Sequence, residues 1–511
     1  MQQESRIKKS LLNARVNIFF YVLTLILSFF SRKIFLNCLG ADFIGLTGTL
    51  YNLLAYLNIV ELGIGSAIGY VLYKPIFDQN SKKINEIISV MGYLYHWIGI
   101  IILVMGCTLA CFLPLIFSNT IFDLGIIYFA YFSFLSSSLI GYFINYRQNL
   151  LAADQKNYVV TAYYQSATII KTIIQIFTAY YTKNLYLWVA FELSFGVIYS
   201  FILNWKINKT YPWLKTNIKE GKNLYKEYPE VIKYTKQLFV HRIAPIVQYQ
   251  TTPFFIYTFV SLKMVAFYGN YSIIVDKIIQ AISQLLGSTG AAVGNLVAEG
   301  NHHKIISVFW EFLSIRYLIC NIIIFAFFHL ISPFITLWVG SEYILDHTIV
   351  IIIMFNIYIM IIRGVFDQFL YAFGLFYDIY ASIIESTLTI ILSICLGYYW
   401  KLEGVLLAPL ISMYINAFLW KPFFLFRFGL SLPATFFWKN NIKHTIVLLI
   451  SFIISSNLIQ SLNYSPYESY INWTIYALII VGLHTIIAFS LTFLSSFGLR
   501  SLIKRFIIYH Y

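Results

Sequence analysis

The sequence predicts an all-α chain that crosses a lipid bilayer about fourteen times. Apolar residues fill 59% of its 511 positions and charged residues only 11%. Runs such as Val16–Phe30, Ile98–Phe117, Ile319–Leu337 and Ile349–Ile362 are too long and too apolar for strands of a soluble sheet. A helix of roughly 20 apolar residues spans the hydrocarbon and satisfies its own backbone there. The basic residues fall between these runs in an alternating pattern, which gives the chain an orientation.

In chain order, spans are expected at about 12–37, 42–74, 84–118, 122–146, 157–181, 185–206 and 237–261. They continue at 265–298, 304–338, 343–373, 377–399, 403–427, 442–462 and 470–497. With a cytoplasmic N-terminus, 25 of the 35 Lys and Arg residues fall in cytoplasmic segments. Only Arg32, Lys33, Lys183, Lys263 and Lys401 fall at outer ends. This bias predicts two cytoplasmic termini and an even number of spans. The net charge of +14 is spread over many short loops. That argues against nucleic acid as a partner and for contact with anionic lipid headgroups. The first span is too long for a signal-peptide core and has no small-residue cleavage site after it, so it is expected to be kept. Cys38, Cys107, Cys111, Cys320 and Cys395 lie in or beside apolar runs without metal-ligand spacing. They are expected to be small buried hydrophobes.

The longest polar stretch, Lys206 to Lys236, holds eight lysines with Pro212, Gly221 and Pro229. It divides the chain into an N-lobe (1–206, spans 1–6), a basic linker (207–236) and a C-lobe (237–428, spans 7–12). Two extra spans and a tail follow (429–511). Such a linker suits two bundles that move relative to one another. The halves echo each other, since Gly65 and Gly69 of the second span recur as Gly290 and Gly294 of the eighth at the same offset. We read this as a tandem repeat of a six-helix unit, with the four glycines as small-residue packing positions.

A charge near the bilayer centre costs about 3 kcal/mol, so each one needs a partner or a hydrated cavity. The candidates are the cations Lys171, Arg242, Lys277, Arg316 and Arg363, and the carboxylates Glu61, Glu192, Asp276 and Asp367. Arg363 and Asp367 share a helix face at i, i+4. Asp276 and Lys277 point about 100° apart and cannot pair well. Lys171 has no acidic residue within one turn and takes its partner from elsewhere, Glu61 or Glu192. Together these residues describe a partly hydrated cavity in which cations suit an anionic cargo such as a pyrophosphate. The carboxylates suit a coupling H⁺ or Na⁺. No Walker lysine loop, acidic catalytic loop or soluble domain is visible, and the outer loops are short. The chain is therefore expected to be no enzyme and to use no metal or organic cofactor.

The run from Arg32 through Leu39-Gly40 and Gly45, continuing through Glu61-Leu-Gly-Ile-Gly65 and Lys74-Pro75, resembles the N-terminus of the Wzx-type polysaccharide flippases. These belong to the multidrug/oligosaccharidyl-lipid/polysaccharide exporter superfamily. The resemblance implies a MATE-like pair of lobes around a cavity, with two further C-terminal helices. It implies alternating access that carries a polyprenyl-pyrophosphate-linked oligosaccharide to the outer leaflet of a bacterial inner membrane, for O-antigen or capsule assembly beside a polymerase. Lys171, Arg242, Lys277, Arg316 and Arg363 would then face the pyrophosphate or acidic sugars. Glu61, Glu192, Asp276 and Asp367 would be the coupling carboxylates. The alternative within the superfamily is a cation-coupled multidrug exporter.

Overall fold

The computed structural model describes residues 6–61, 64–229, 231, 235, 250–287, 290–375, 378–460 and 464–509. The described residues are helical apart from turns and short connections. Among the described residues, nine helical segments are long and apolar enough to cross a membrane by themselves. Others join across breaks to complete about fourteen spans. The chain is a multi-pass α-helical membrane protein.

Helix α1 (Arg6–Leu39) turns into α2 (Ala41–Leu57) at Gly40. Gly40 sits at φ 87°, a conformation that a side chain disfavours. The second expected span is broken: a 3₁₀ turn, Asn58–Glu61, separates α2 from α3 (Ile64–Phe77). Helix α4 (Ser81–Ala110), α5 (Leu124–Phe143), α6 (Asn157–Thr182) and α7 (Leu185–Thr210) follow. In these, α1 lies along α6, α5 along α7, and α4 along α5. Beyond them come α8 (Leu262–Gly287), α9 (Gly290–Ala298), α10 (His302–Trp338), α11 (His347–Ala372), α12 (Ile379–Tyr414) and α13 (Lys421–Phe428). Helix α12 kinks at Lys401, at φ 46°, which separates the eleventh span from the twelfth. The last helices are α14 (Thr435–Gln460), α15 (Tyr470–Ser495) and α16 (Phe497–Tyr509).

The repeat expected from the glycines carries a second, more local signature. Asn80 caps α4 by accepting a hydrogen bond from the Lys83 amide at 3.1 Å. Asn301 caps α10 by accepting one from the Lys304 amide at 3.1 Å. A left-handed residue precedes each cap, Gln79 at φ 52° and Gly300 at φ 72°. Capping by Asn satisfies an orphan amide of the first turn, and here the same device opens the same helix of each half.

Contacts divide the chain into two compact units, Met1–Ala266 and Phe267–Tyr511. The expected lobe boundary lay at 236, and the division falls after the seventh span. The reason lies in residues 250–262, which pack on unit 1. The Tyr257 hydroxyl donates to the Ile116 carbonyl at 2.7 Å, and its ring stacks on Phe117.

The described part of the basic stretch expected as a linker (207–236) packs on α4. Ile218–Leu224 forms a helix against the first half of α4. Ser89 Oγ accepts from the Asn217 amide at 3.0 Å, and the Tyr228 hydroxyl donates to Glu86 at 2.7 Å. The Tyr211 hydroxyl donates to Asp154, and burial together with that carboxylate raises its pKa far above the ordinary phenol range.

The cysteines correct a second expectation. Only Cys320 is buried, Cys38 is half-buried, and Cys107, Cys111 and Cys395 are exposed. An apolar neighbourhood in sequence marks the lipid-facing surface as readily as the core. In α1 just 11% of the most apolar window is buried, against 67% in α11.

The two helices after Pro433 are integral to unit 2. His484 on α15 is fully buried, with Nδ1 at 2.8 Å from Ser455 Oγ and Nε2 at 3.2 Å from Asn321 Oδ1. Asn321 on α10 donates to Ser451 on α14 at 2.8 Å. Polar pairs of this kind hold helices together where lipid removes the hydrophobic drive to associate. Around them Phe325, Leu330, Ile459, Tyr476 and Ile480 form an apolar core.

Candidate functional site

Two clusters of charge lie on the apolar helices among the described residues, one within each unit. In unit 1, α6 presents Lys171 and Gln175 one turn apart, and α7 presents Glu192. Lys171 and Glu192 form an ion pair with side chains 17% and 13% exposed. Of the two carboxylates weighed for Lys171, Glu192 is the one it meets. Glu192 also accepts from Gln175 at 2.9 Å and from the Tyr51 hydroxyl of α2 at 2.7 Å. Tyr51 in turn stacks on Phe134 with ring centroids 4.2 Å apart. A carboxylate with a cation and two neutral donors is well satisfied away from water.

In unit 2 the charges form a chain. Arg363 on α11 donates to Glu385 on α12 at 2.7 Å and lies 3.6 Å from Asp367 one turn on. Asp367 also pairs with Lys421, and Glu385 also accepts from Asn416. Arg316 on α10 donates to the Ile361 carbonyl at 3.0 Å. Its guanidinium lies directly against Gly364, where a β-carbon would collide with it. Among the described residues, two cations thus pair with two carboxylates, and a third cation, Arg316, lies against the helix that bears Arg363. An anion entering such a cluster finds an uncompensated positive charge, and a cation or proton reaching a carboxylate releases an internal partner.

The other residues expected at a site lie elsewhere. Glu61, in the 3₁₀ turn, accepts from the Tyr95 hydroxyl at 2.6 Å, and Gly65 lies beside that contact. Among the described residues nothing lies within 4 Å of the β-carbon position at Gly69 or Gly294. Gly290 is the first residue of α9. Asp276 and Lys277 occupy α8, with Asp276 exposed and Lys277 half-buried. Arg242 lies outside the described residues. Glu385, Asn416 and Lys421 are site residues that the sequence reading misses, as are Tyr51 and Gln175. Glu385 carries a usable signal, a lone carboxylate inside an apolar run. Lys421 carries none, because a lysine near a span end reads as an interfacial charge.

No protein-family model matches the chain, and no curated protein sequence matches it. Among solved structures it is similar to the lipid II flippase MurJ in an inward closed conformation. The TM-score is 0.66 at 16% identity, over 96% of this chain and 100% of that one. It is also similar to an inward-facing multidrug resistance MATE family transporter of the MOP superfamily. There the TM-score is 0.58 at 12% identity, over 80% of this chain and 95% of that one. The chain has the fold of these transporters. The first likeness runs through nearly the whole chain, the helices of both units included.

Proposed function

We propose that this chain is a transporter that flips a polyprenyl-pyrophosphate-linked oligosaccharide between membrane leaflets by alternating access. The lysine and arginine bias supports two cytoplasmic termini; in this reading the membrane is a bacterial inner membrane and the cargo moves from its inner to its outer leaflet. The observation that carries the reading is the unit 2 cluster. Among the described residues, Arg363 and Lys421 pair with Asp367 and Glu385, and a third cation, Arg316, lies beside them against Gly364, one positive charge more than the carboxylates supply. A cationic groove of that kind lowers the barrier for a pyrophosphate that hydrocarbon excludes. A coupling ion, H⁺ or Na⁺, acts in this scheme by displacing Arg363 or Lys421 from its carboxylate. No catalytic step is required of the protein. Surface-polymer assembly supplies the use for such a cargo, with a polymerase acting on the product. A second reading, export of small molecules, is favoured by the fold likeness to the multidrug MATE transporter, but that chemistry gains nothing from excess cations.

The test uses cells that lack this chain and retain a lipid-linked glycan pathway. Flipping predicts that finished lipid-linked units accumulate on the inner leaflet while surface polymer disappears. The wild-type chain restores polymer, and Arg363→Ala or Lys171→Ala at matched membrane levels does not. Unchanged surface polymer in the deletion strain removes the flippase reading and leaves export of small molecules.

A further inference from the structure

Unit 1 holds a cavity of about 410 Å³, within the range of small-molecule sites. It lies far from the lysine-rich segment. That segment docks on the first turns of α4, at Asn85, Glu86 and Ser89, whereas the cavity opens beyond the last turn of α4, at Leu115–Ile121. The 21 residues that follow Ser89 to the end of α4 at Ala110 separate the two by about 32 Å, the thickness of the hydrocarbon core. With lysines facing the cytoplasm, the cavity faces outward.

Its lining combines Asp42, Ser118, Asn119, Thr120 and Thr258 with the ring of Tyr257. Two contacts hold that ring, the hydroxyl to the Ile116 carbonyl at 2.7 Å and the stack on Phe117 at 5.0 Å. Thr120 accepts from the Phe122 amide at 3.1 Å, which fixes the loop between α4 and α5. The described lining contains no lysine, arginine or histidine and includes the Asp42 carboxylate, so it offers a pyrophosphate no compensating positive charge. A carboxylate, an amide and several hydroxyls supply both acceptors and donors, and an aromatic ring supplies an apolar face. Vicinal hydroxyls on a ring with C–H faces match that set.

We propose that this cavity binds a neutral or amino-bearing sugar ring on the outer side of the membrane. The orientation and the sugar-bearing cargo rest on the function proposed above; the binding measurement does not. Purified chain in lipid nanodiscs is mixed with methyl glycosides of glucose, galactose and N-acetylglucosamine, and saturation-transfer NMR reads contact. At least one glycoside is expected to show transfer, falling about five-fold or more in Asn119→Ala and Asp42→Asn, the loss of one or two hydrogen bonds. Inorganic pyrophosphate is expected to leave the signal unchanged. Thermal unfolding of each variant checks that it is folded. No transfer from any glycoside, or transfer that ignores both substitutions, overturns the proposal.

The sugar could belong to the transported headgroup or to finished surface glycan. Ser118→Cys, in a chain whose five native cysteines are replaced, is labelled in intact cells with a membrane-impermeant maleimide. Slower labelling in cells that build lipid-linked units but cannot polymerise them identifies the headgroup. Slowing only when polymer is made identifies surface glycan. Equal labelling everywhere counts against occupancy in the cell and overturns the proposal. Sugar binding in a chain that fails to restore polymer would leave the cavity standing and remove the flippase reading. Restored polymer without binding would do the reverse.

Discussion

The two units meet the same problem, cations held in an apolar bundle, with different arrangements. Unit 1 uses a pair: Lys171 against Glu192, braced by the neutral donors Tyr51 and Gln175. Unit 2 uses a chain that runs Asn416, Glu385, Arg363, Asp367, Lys421, with Arg316 alongside. In the pair, removing one member strands the other. In the chain, Arg363 and Asp367 each keep a second partner. The contrast teaches where motion is cheap, because a chain can exchange partners without passing through an unpaired charge, whereas a pair cannot. Under the function proposed above, unit 1 would then serve as a fixed brace and unit 2 as the part that rearranges.

The sharpest way to break this comparison is Glu192→Ala. It leaves Lys171 unpaired in the bundle and is expected to cost about 3 kcal/mol, the insertion cost of a lone charge. The double variant Lys171→Met/Glu192→Met removes both charges and is expected to recover most of that loss. Thermal unfolding in detergent, arranged as a double-mutant cycle, reads the coupling. A double variant as unstable as the single one would mean that shape, not charge, holds α6 to α7. Glu385→Ala comes next. It removes a fully buried carboxylate, but Arg363 keeps Asp367, so the expected loss is only about 1–2 kcal/mol. A loss as large as that of Glu192→Ala would make Arg363–Glu385 an isolated pair.

How much of this was legible in the sequence depends on the scale of the signal. Spans were legible because a bilayer demands long apolar runs, and runs such as Ile349–Ile362 have no other use. The repeat was legible in glycines, although its firmest local mark was the Asn80 and Asn301 caps, which needed a comparison four residues out of register with those glycines. The break at Asn58–Glu61 was hidden because apolar residues on both sides continue the hydropathy. Lipid exposure of Cys107 and Cys395 was hidden for the reason that lipid and core are equally apolar. At the site, Lys171 and Arg363 stood out as charges inside runs. Their partners Glu192 and Asp367 stood out in the same way, but Glu385 and Lys421 come from helices that only packing brings near. Sequence spacing reports contacts within one helix, as for Arg363 and Asp367, and is silent on contacts between helices.

The smallest expected effect is the most informative about rearrangement. Lys421→Met removes a cation from Asp367, whose side chain is 36% exposed and retains Arg363. Because Asp367 keeps Arg363 and the buried Lys421 is removed together with its charge, stability is expected to fall by only about 1 kcal/mol. Under the transport scheme proposed above, Lys421 is one of the cations that a coupling proton or sodium ion would displace. Restoration of surface polymer by Lys421→Met is therefore expected to drop well below wild type at matched membrane levels and near-wild-type unfolding temperature. The Glu299–Lys304 pair serves as the control, since both side chains are about half exposed; Lys304→Ala is expected to alter neither reading. Wild-type transport by Lys421→Met would make its ion pair an ornament of the fold, and the exchangeable chain would shorten to Arg363 and its two carboxylates.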